Sequence, residues 1–437
     1  MSALSLAAAP AWGAEPARLN DGPLALASAV ALALARNPSV AEAEARVEAA
    51  RALGRQARSG FWPRADLEAS YTVTDNSALA FSYILNQRAF APSLDFNDVD
   101  TVDDLNLAAT VELPLFTGFA RSSAVDAAER GLEAARAGRS VVLHRLSAET
   151  ARAWLGAFAA RRFVEASRAG VEGLEAAVEV ARRRFEAGTL LRQAVLEIEV
   201  RLAAAREQLG RAENGEALAK EALRALLHVD EGTPLELAEL PDPAPPPPPG
   251  ERAEAPPALQ AAKSAVEAAD AAVGRAESGW WPQVGLRGSV IYDRGFIEDG
   301  DKLSYVAGLG VTWSVWDGFE TSGRVDEARA EAAERRAALD RLDRRLRLAV
   351  AEARIRVRDA RARVEQSTRA IELAEESVDL VRTRFEEGVA LPTQLIDAET
   401  ELTRARVRRA RAEADLGVAA VELRRALGLT PVPLPGE

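Results

Sequence analysis

Ser59-Gly60-Phe61-Trp62-Pro63 is written a second time as Ser278-Gly279-Trp280-Trp281-Pro282, a displacement of 219 positions (281 − 62). Two further marks repeat with a displacement of 200: Phe116-Thr117-Gly118-Phe119 as Trp316-Asp317-Gly318-Phe319 (316 − 116), and Arg184-Phe185-Glu186-Ala187-Gly188 as Arg384-Phe385-Glu386-Glu387-Gly388 (384 − 184). The fall of 19 (219 − 200) puts an insertion between the first two marks of the first half, in a stretch that includes Asp75 to Asp104. Self-similarity on this scale means that one structural unit is used twice. The first repeat covers 24–229 and the second 258–429. Residues 230–257 join them as a proline-rich linker, whose run Pro245 to Pro249 is a stiff polyproline spacer unfit for helix or sheet. A short tail, 430–437, ends the chain.

Within each repeat the period changes in a fixed order: helix, two strands, very long helix, second helix. In the second repeat Val350, Ala353, Val357, Ala360, Val364, Ser367, Ile371, Ala374, Val378, Val381 and Phe385 follow one another at steps of three and four, which is a coiled-coil seam. Subtracting 200 gives Thr150, Ala153, Ala157, Ala160, Val164, Ser167, Val171, Leu174, Val178, Ala181 and Phe185, with Ser at the same place. Gly188 and Gly388 then mark hairpin tips between antiparallel helices. At 1.5 Å per residue the span from Arg121 to Phe185 predicts a rod of roughly 100 Å. The returning Leu190 to His228 reaches about 60 Å and Ala258 to Trp280 adds about 35 Å, so a broken helix lies beside an unbroken one.

The remaining segments have a period of two. Ala65, Leu67, Ala69, Tyr71 and Val73 alternate with Asp66, Glu68, Ser70, Thr72 and Thr74, and Leu107, Ala109, Val111, Leu113 and Leu115 oppose Asn106, Thr110 and Glu112. The hairpins 64–116 and 283–316 are therefore two-sided, and the second alternates in the same way from Val284 to Trp313. A soluble sheet on a core has this alternation too, but the helical seams are committed to each other and nothing is left to cover the apolar face. Four strands cannot close a barrel alone, so several copies must supply strands to one barrel, with lipid outside and water inside. Trp62-Pro63 and Trp281-Pro282 are then the helix-to-strand turns at the membrane interface, where proline stops a helix and indole sits among headgroups.

Composition narrows the function. A formal charge of −12, with Arg interleaved among Glu and Asp, excludes a nucleic-acid binder, which needs a basic face. No cysteine is present, and His144 and His228 both fall inside helical patterns as structural residues. No glycine-rich phosphate loop, metal-spaced His pair or nucleophile beside a base argues for an enzyme or a cofactor. There is no apolar run long enough for a membrane-spanning helix. Residues 1–14, an apolar small-residue run from Leu4 to Ala11 and then Trp12-Gly13-Ala14, read as a secretory signal or its remnant without a basic start. The competing reading, a soluble coiled-coil scaffold, leaves four amphipathic strands unexplained.

The duplication, the element order, the Leu-Phe-x-Gly and Trp-Asp-Gly marks ending at Gly118 and Gly318, and the Arg-Phe-x-x-Gly tips together resemble the TolC-type outer-membrane efflux family, from about Leu24 to Leu429. The resemblance implies a mainly α protein with a β-barrel part: a homotrimer of a Gram-negative outer membrane, four transmembrane strands per protomer in a 12-stranded barrel, continued into the periplasm by a long coiled-coil tunnel. It implies passive export, energised by an inner-membrane pump through a periplasmic adaptor, with no catalytic, cofactor or metal site. The family's adaptor-docking tips fall on Gly188-Thr189 and Gly388-Val389. Its acidic inner gate falls on Asp397 and on Gln394, while Ala194 and Ala390 stand where some members carry polar latches. The N-terminal lipid-bearing cysteine of many relatives is missing, which implies an unlipidated subtype. The longer first outer loop, with Phe90, Phe96, Asp98, Asp100, Asp103 and Asp104, is expected to be a lid over the pore or to have no role.

Overall fold

A computed structural model of the chain describes residues 22–240, except 93, 96 and 98, and residues 256–433. The expected signal segment, Pro245 to Pro249, Phe96, Asp98 and the last four residues of the tail lie outside the described residues. In chain order the elements are α1 (Leu26–Arg36), α2 (Pro38–Ser59), β1 (Arg64–Thr74), α3 (Ser77–Asn86), β2 (Val102–Thr117), α4 (Ala120–Glu186), α5 (Arg192–Leu227), α6 (Pro257–Glu277), β3 (Gln283–Arg294), β4 (Asp301–Thr312), α7 (Glu320–Glu386) and α8 (Pro392–Ala426). The duplication is plain in the two helices of 67 residues, α4 and α7.

Two compact units divide these elements. One takes in the described parts of 1–45, 137–260 and 341–437, and the other comprises 46–136 and 261–340. In the first unit the seams are the core. Trp154 and Phe158 of α4 stack with ring centroids 5.7 Å apart, both fully buried against Leu32, Leu223 and Leu227. Ala353, Val357 and Ala360 of α7 pack on Leu416, Ala419 and Leu423 of α8. Small seam residues let the helix axes approach closely. Gly417 shows the limit, because a Cβ there would fall 2.8 Å from Cδ2 of buried Leu155.

Several expectations need correction. The first helix is two: Pro38 has no N–H to continue α1, and Asn37 caps the break, its Oδ1 accepting from Ser39 N and Ser39 Oγ while its Nδ2 donates to Leu226 O. The first part of the expected linker, from 230, is packed and does not hang free. Leu235 and Leu237 are buried, and Leu24 pairs with this segment, its N donating to Glu236 O and its carbonyl accepting from Ala238 N and Trp154 Nε1. The seams are also unequal at their ends, since Phe385 is fully buried and Phe185 is 44% exposed.

In the second unit the strands form one antiparallel meander in the order β1-β2-β3-β4, so that β2 of the first repeat pairs with β3 of the second. Pro114 lacks an N–H for the ladder, and the β2–β3 register shifts between Pro114 and Phe116. β4 ends at Thr312, short of the expected 316. The insertion after β1 is more than a loop. Asn76 Oδ1 accepts from Ala78 N and Leu79 N to start α3, and β2 begins early enough to take up Asp103 and Asp104.

Candidate functional site

The sheet's two faces follow from strand parity and register. Cross-strand partners share a face, so Asn106 with Asp293, Thr110 with Ser289 and Glu112 with Arg287 stand on one side of the β2–β3 seam. Each pair is bonded: Asn106 Nδ2 donates to Asp293 Oδ1 at 2.8 Å, the Thr110 and Ser289 hydroxyls lie 3.0 Å apart, and Arg287 meets Glu112 at 3.4 Å. Polar rungs thus stitch the two repeats together on this face. The opposite face carries Leu67, Leu107, Val111, Leu286, Leu303, Tyr305 and Leu309, all exposed, Leu67 at 88% and Tyr305 at 82%. A sheet with one wet face and one bare apolar face is shaped for a membrane barrel.

Aromatic residues cluster at both ends of the apolar face. At the helix end Trp62 and Trp281 are exposed, as expected for the interface turns, and Trp280, Trp313 and Trp316 join them. Gly118 at φ 59° lies so close to Ser278 and Trp281 that a Cβ would fall 2.6 Å from the Ser278 carbonyl oxygen. Phe119 meets Trp281 edge to face at 5.8 Å. Arg121, which the sequence did not single out, ties this end together. It donates to Gly60 O at 2.5 Å and to Pro114 O, and covers the Phe61 ring at 5.2 Å. At the other end Asp103 is buried on the apolar side and accepts from Phe296 N, Ile297 N and Tyr71 Oη. Asp103 and Asp104 are therefore engaged inside β2 and form no part of an exposed lid.

The two hairpin tips have the same construction. Gly188 (φ 72°) and Gly388 (φ 88°) take the left-handed conformation, and the next amides, Thr189 N and Val389 N, donate back to Arg184 O and Arg384 O. This is the Schellman stop of a helix, which glycine permits because it has no Cβ. Gly188, Thr189, Gly388 and Val389 are all exposed. Leu191 and Leu391 are exposed too, at 75% and 64%. The displacement of 200 that aligns the glycines also aligns these leucines, a signal the motif reading passed over. Arg184 joins the tips: it donates to Phe385 O at 2.6 Å and lies over the Phe385 ring.

Behind the tips the hairpins carry repeated ion pairs. Arg182 meets Glu199 at 2.7 Å and Arg382 meets Glu399 at 2.6 Å; Arg206 meets Glu175 at 2.6 Å and Arg406 meets Glu375 at 2.9 Å. Glu399 is buried because Gly173 of α4 leaves room for its carboxylate. The hydrogen bond to Glu199 holds the Arg182 guanidinium above its ordinary pKa. Of the expected gate positions, Asp397 is exposed on α8, and Gln394 is engaged as a helix cap, its Oε1 accepting from Leu391 N at 2.9 Å. Among the described residues no group of three or more acidic, His or Cys side chains could hold a metal.

Comparison with known proteins agrees with this geometry. The family described as outer membrane efflux protein matches residues 29–228 and 250–429. Protein CyaE of Bordetella pertussis is 31% identical over 96% of this chain and 88% of its own length. Two solved channels share the fold. The Campylobacter jejuni CmeC outer membrane channel has a TM-score of 0.79 at 15% identity, over 92% of this chain and 85% of that one. The Vibrio cholerae outer membrane protein VceC has a TM-score of 0.77 at 20% identity, over 93% and 97%. The chain belongs to the outer membrane efflux protein family. It is an outer-membrane efflux or secretion channel subunit that extends into the periplasm, with four strands for a barrel and helices for a tunnel, and it is not an enzyme. Proteins of this family are trimeric channels that work with adaptors and pumps.

Proposed function

We propose that three copies of this chain form the exit duct of a tripartite assembly, with outer-membrane lipid around the barrel, a periplasmic adaptor at the helical tips and an inner-membrane pump behind the adaptor. The observation that carries this reading is the sheet: bonded polar rungs on one face, bare apolar side chains on the other, and aromatic residues at both ends. Three copies of the four-stranded sheet supply twelve strands. Closure removes the free edges of β1 and β4.

The tips support the adaptor assignment. Gly188-Thr189 and Gly388-Val389 offer exposed backbone without a Cβ in the way, and Leu191 and Leu391 add an apolar contact beside each. A helical hairpin can dock there by close backbone approach. At the same end, Gln394 is already used as a cap, so Asp397 is the charge left for a gate, repeated three times around the axis. Replacing Asp397 with Ala then lowers the channel's preference for cations, read as a shift in reversal potential under a salt gradient.

The deciding experiment is size-exclusion chromatography with light scattering on protein extracted from outer membranes in detergent, followed by planar-bilayer recording. The expected result is a detergent-requiring trimer with discrete conductance steps. A detergent-independent monomer or dimer in the soluble fraction overturns the barrel and the function with it. Adaptor docking is read separately. Gly188→Asp with Gly388→Asp abolishes cross-linking to the adaptor while trimer and conductance persist.

A further inference from the structure

The insertion of the first repeat places a short apolar helix where a channel would open to the exterior. α3 packs Ala80 and Ile84 on Val102, the first residue of β2. By strand parity Val102 shares its face with Asp104, Asn106 and Thr110, which is the polar face of the sheet. Gln87, at the end of α3, is 1% exposed, and its Nε2 donates to Asp104 Oδ1 at 2.9 Å and to Asp103 O at 2.7 Å. Gly295 and Gly300 of the β3–β4 loop leave the space that the Gln87 side chain and backbone fill. α3 is therefore seated on the lumen side of the outer rim, while Phe296 and Ile297 are held by Asp103 on the lipid side.

The lumen has little room for three such helices. Twelve strands about 4.8 Å apart and tilted about 40° close at a radius of roughly 12 Å. A helix with its side chains is about 10–12 Å across, so a helix lying on the inner wall reaches the axis. The side chains of α3 match this placement. With Ala80 and Ile84 toward the wall, 100° per residue puts Leu79 on one flank, Phe81 and Leu85 on the other, and Ser82 opposite the wall. Leu79, Phe81 and Leu85 are exposed at 46%, 43% and 42%. Two apolar flanks and a polar front suit a helix with a copy of itself on each side.

Resting on the channel reading above, we infer that the three α3 helices of a trimer meet at the axis as an apolar plug of the outer mouth, Leu79 of each copy packing on Leu85 of the next. The contact is head to tail and closes after three copies. A ring of apolar side chains blocks ions by excluding water, so each conductance step of the trimer is an opening in which α3 swings off its seat, and export requires the same movement.

The chain has no cysteine, so disulfide trapping is clean. The double variant Leu79→Cys with Leu85→Cys, oxidised as purified trimer, is expected to give dimer and trimer bands that a reductant removes, and each single variant is expected to give none. If the unsubstituted protein is a conducting trimer but the double variant stays monomeric on the gel, the plug is overturned and the channel stands. If the same bands arise with either single variant, the flank pairing is wrong and the inference fails. If the unsubstituted protein neither trimerises nor conducts, the channel reading itself has failed.

Discussion

At the scale of single residues the duplication supplies its own controls, because equivalent positions meet different surroundings. Gly118 and Gly318 both adopt the left-handed conformation, at φ 59° and 66°. A Cβ on Gly118 overlaps Ser278 and Trp281, whereas nothing lies within 4 Å of one on Gly318. Gly318→Ala should therefore cost about 1–2 kcal/mol from the backbone alone. Gly118→Ala adds the overlap and should cost about 2–4 kcal/mol. Heating the purified trimer before electrophoresis checks this, and equal dissociation temperatures for the two variants would contradict it. Glu422 gives a pH dependence. Burial by itself would raise its pKa, but hydrogen bonds from Arg152 and Arg425 outweigh burial and hold it below the usual carboxylate value. A depressed pKa stabilises the fold above the unfolded value and loses that contribution as pH falls through the folded value. Lowering the pH below about 4.3 should thus weaken the α4–α8 contact. Glu422→Gln should flatten the acid limb of the thermal stability curve and leave the neutral region lower than in the parent.

Elements differ in how far sequence alone reveals them. The seams, the tips and the strand alternation were legible because each recurs 200 or 219 positions later, and a period seen twice is a stronger signal than a period seen once. Apart from the paired Leu191 and Leu391, what escaped occurs in one repeat only. α3 has no counterpart in the second half, and its ten residues were absorbed into an expected loop, although Asn76 before Ala78-Leu79-Ala80 is a readable start signal. The ordered segment 235–237 escaped because its partner, Leu24, is more than two hundred residues away. Arg121 and the burial of Glu399 depend on neighbours brought together only by folding. The strands permit a direct test of the face assignment. Leu107 and Thr110 lie in the same strand on opposite faces. Arg at a mid-membrane lipid-facing position costs about 2–4 kcal/mol, so Leu107→Arg should lower the yield of trimer in the outer membrane severalfold. Thr110→Arg should assemble normally and change conductance. If both variants assemble equally well, the faces have been wrongly assigned.

On the scale of the whole molecule, the pseudo-symmetry of the helices is broken within one chain. Ala148 and Leu155 of α4 are fully buried, and Gly173 and Val180 are half-buried, because α4 packs on α5 and on α8, with α1 beside Ala148 and Leu155. The positions 200 residues on in α7 are Leu348, Ile355, Leu373 and Leu380, all more than half exposed. Two helices of equal length and equal seam should have equal partners, and α7 lacks its second one. Within a chain, α4 has α5 from its own repeat and α8 from the other, so in the proposed trimer the expected second partner of α7 is α5 of another copy. α5 is suited to the contact, with Leu196, Val200 and Leu218 exposed. A cyclic trimer satisfies every α7 in this way without leaving an apolar stripe in water. Ile355→Asp combined with Leu373→Asp touches nothing buried in the single chain, so its helical circular dichroism should match the parent. Light scattering should nonetheless find monomer in place of trimer, because two carboxylates would otherwise be enclosed in each of three apolar contacts without partners. A variant that remains trimeric would move the subunit boundary to another face of the molecule.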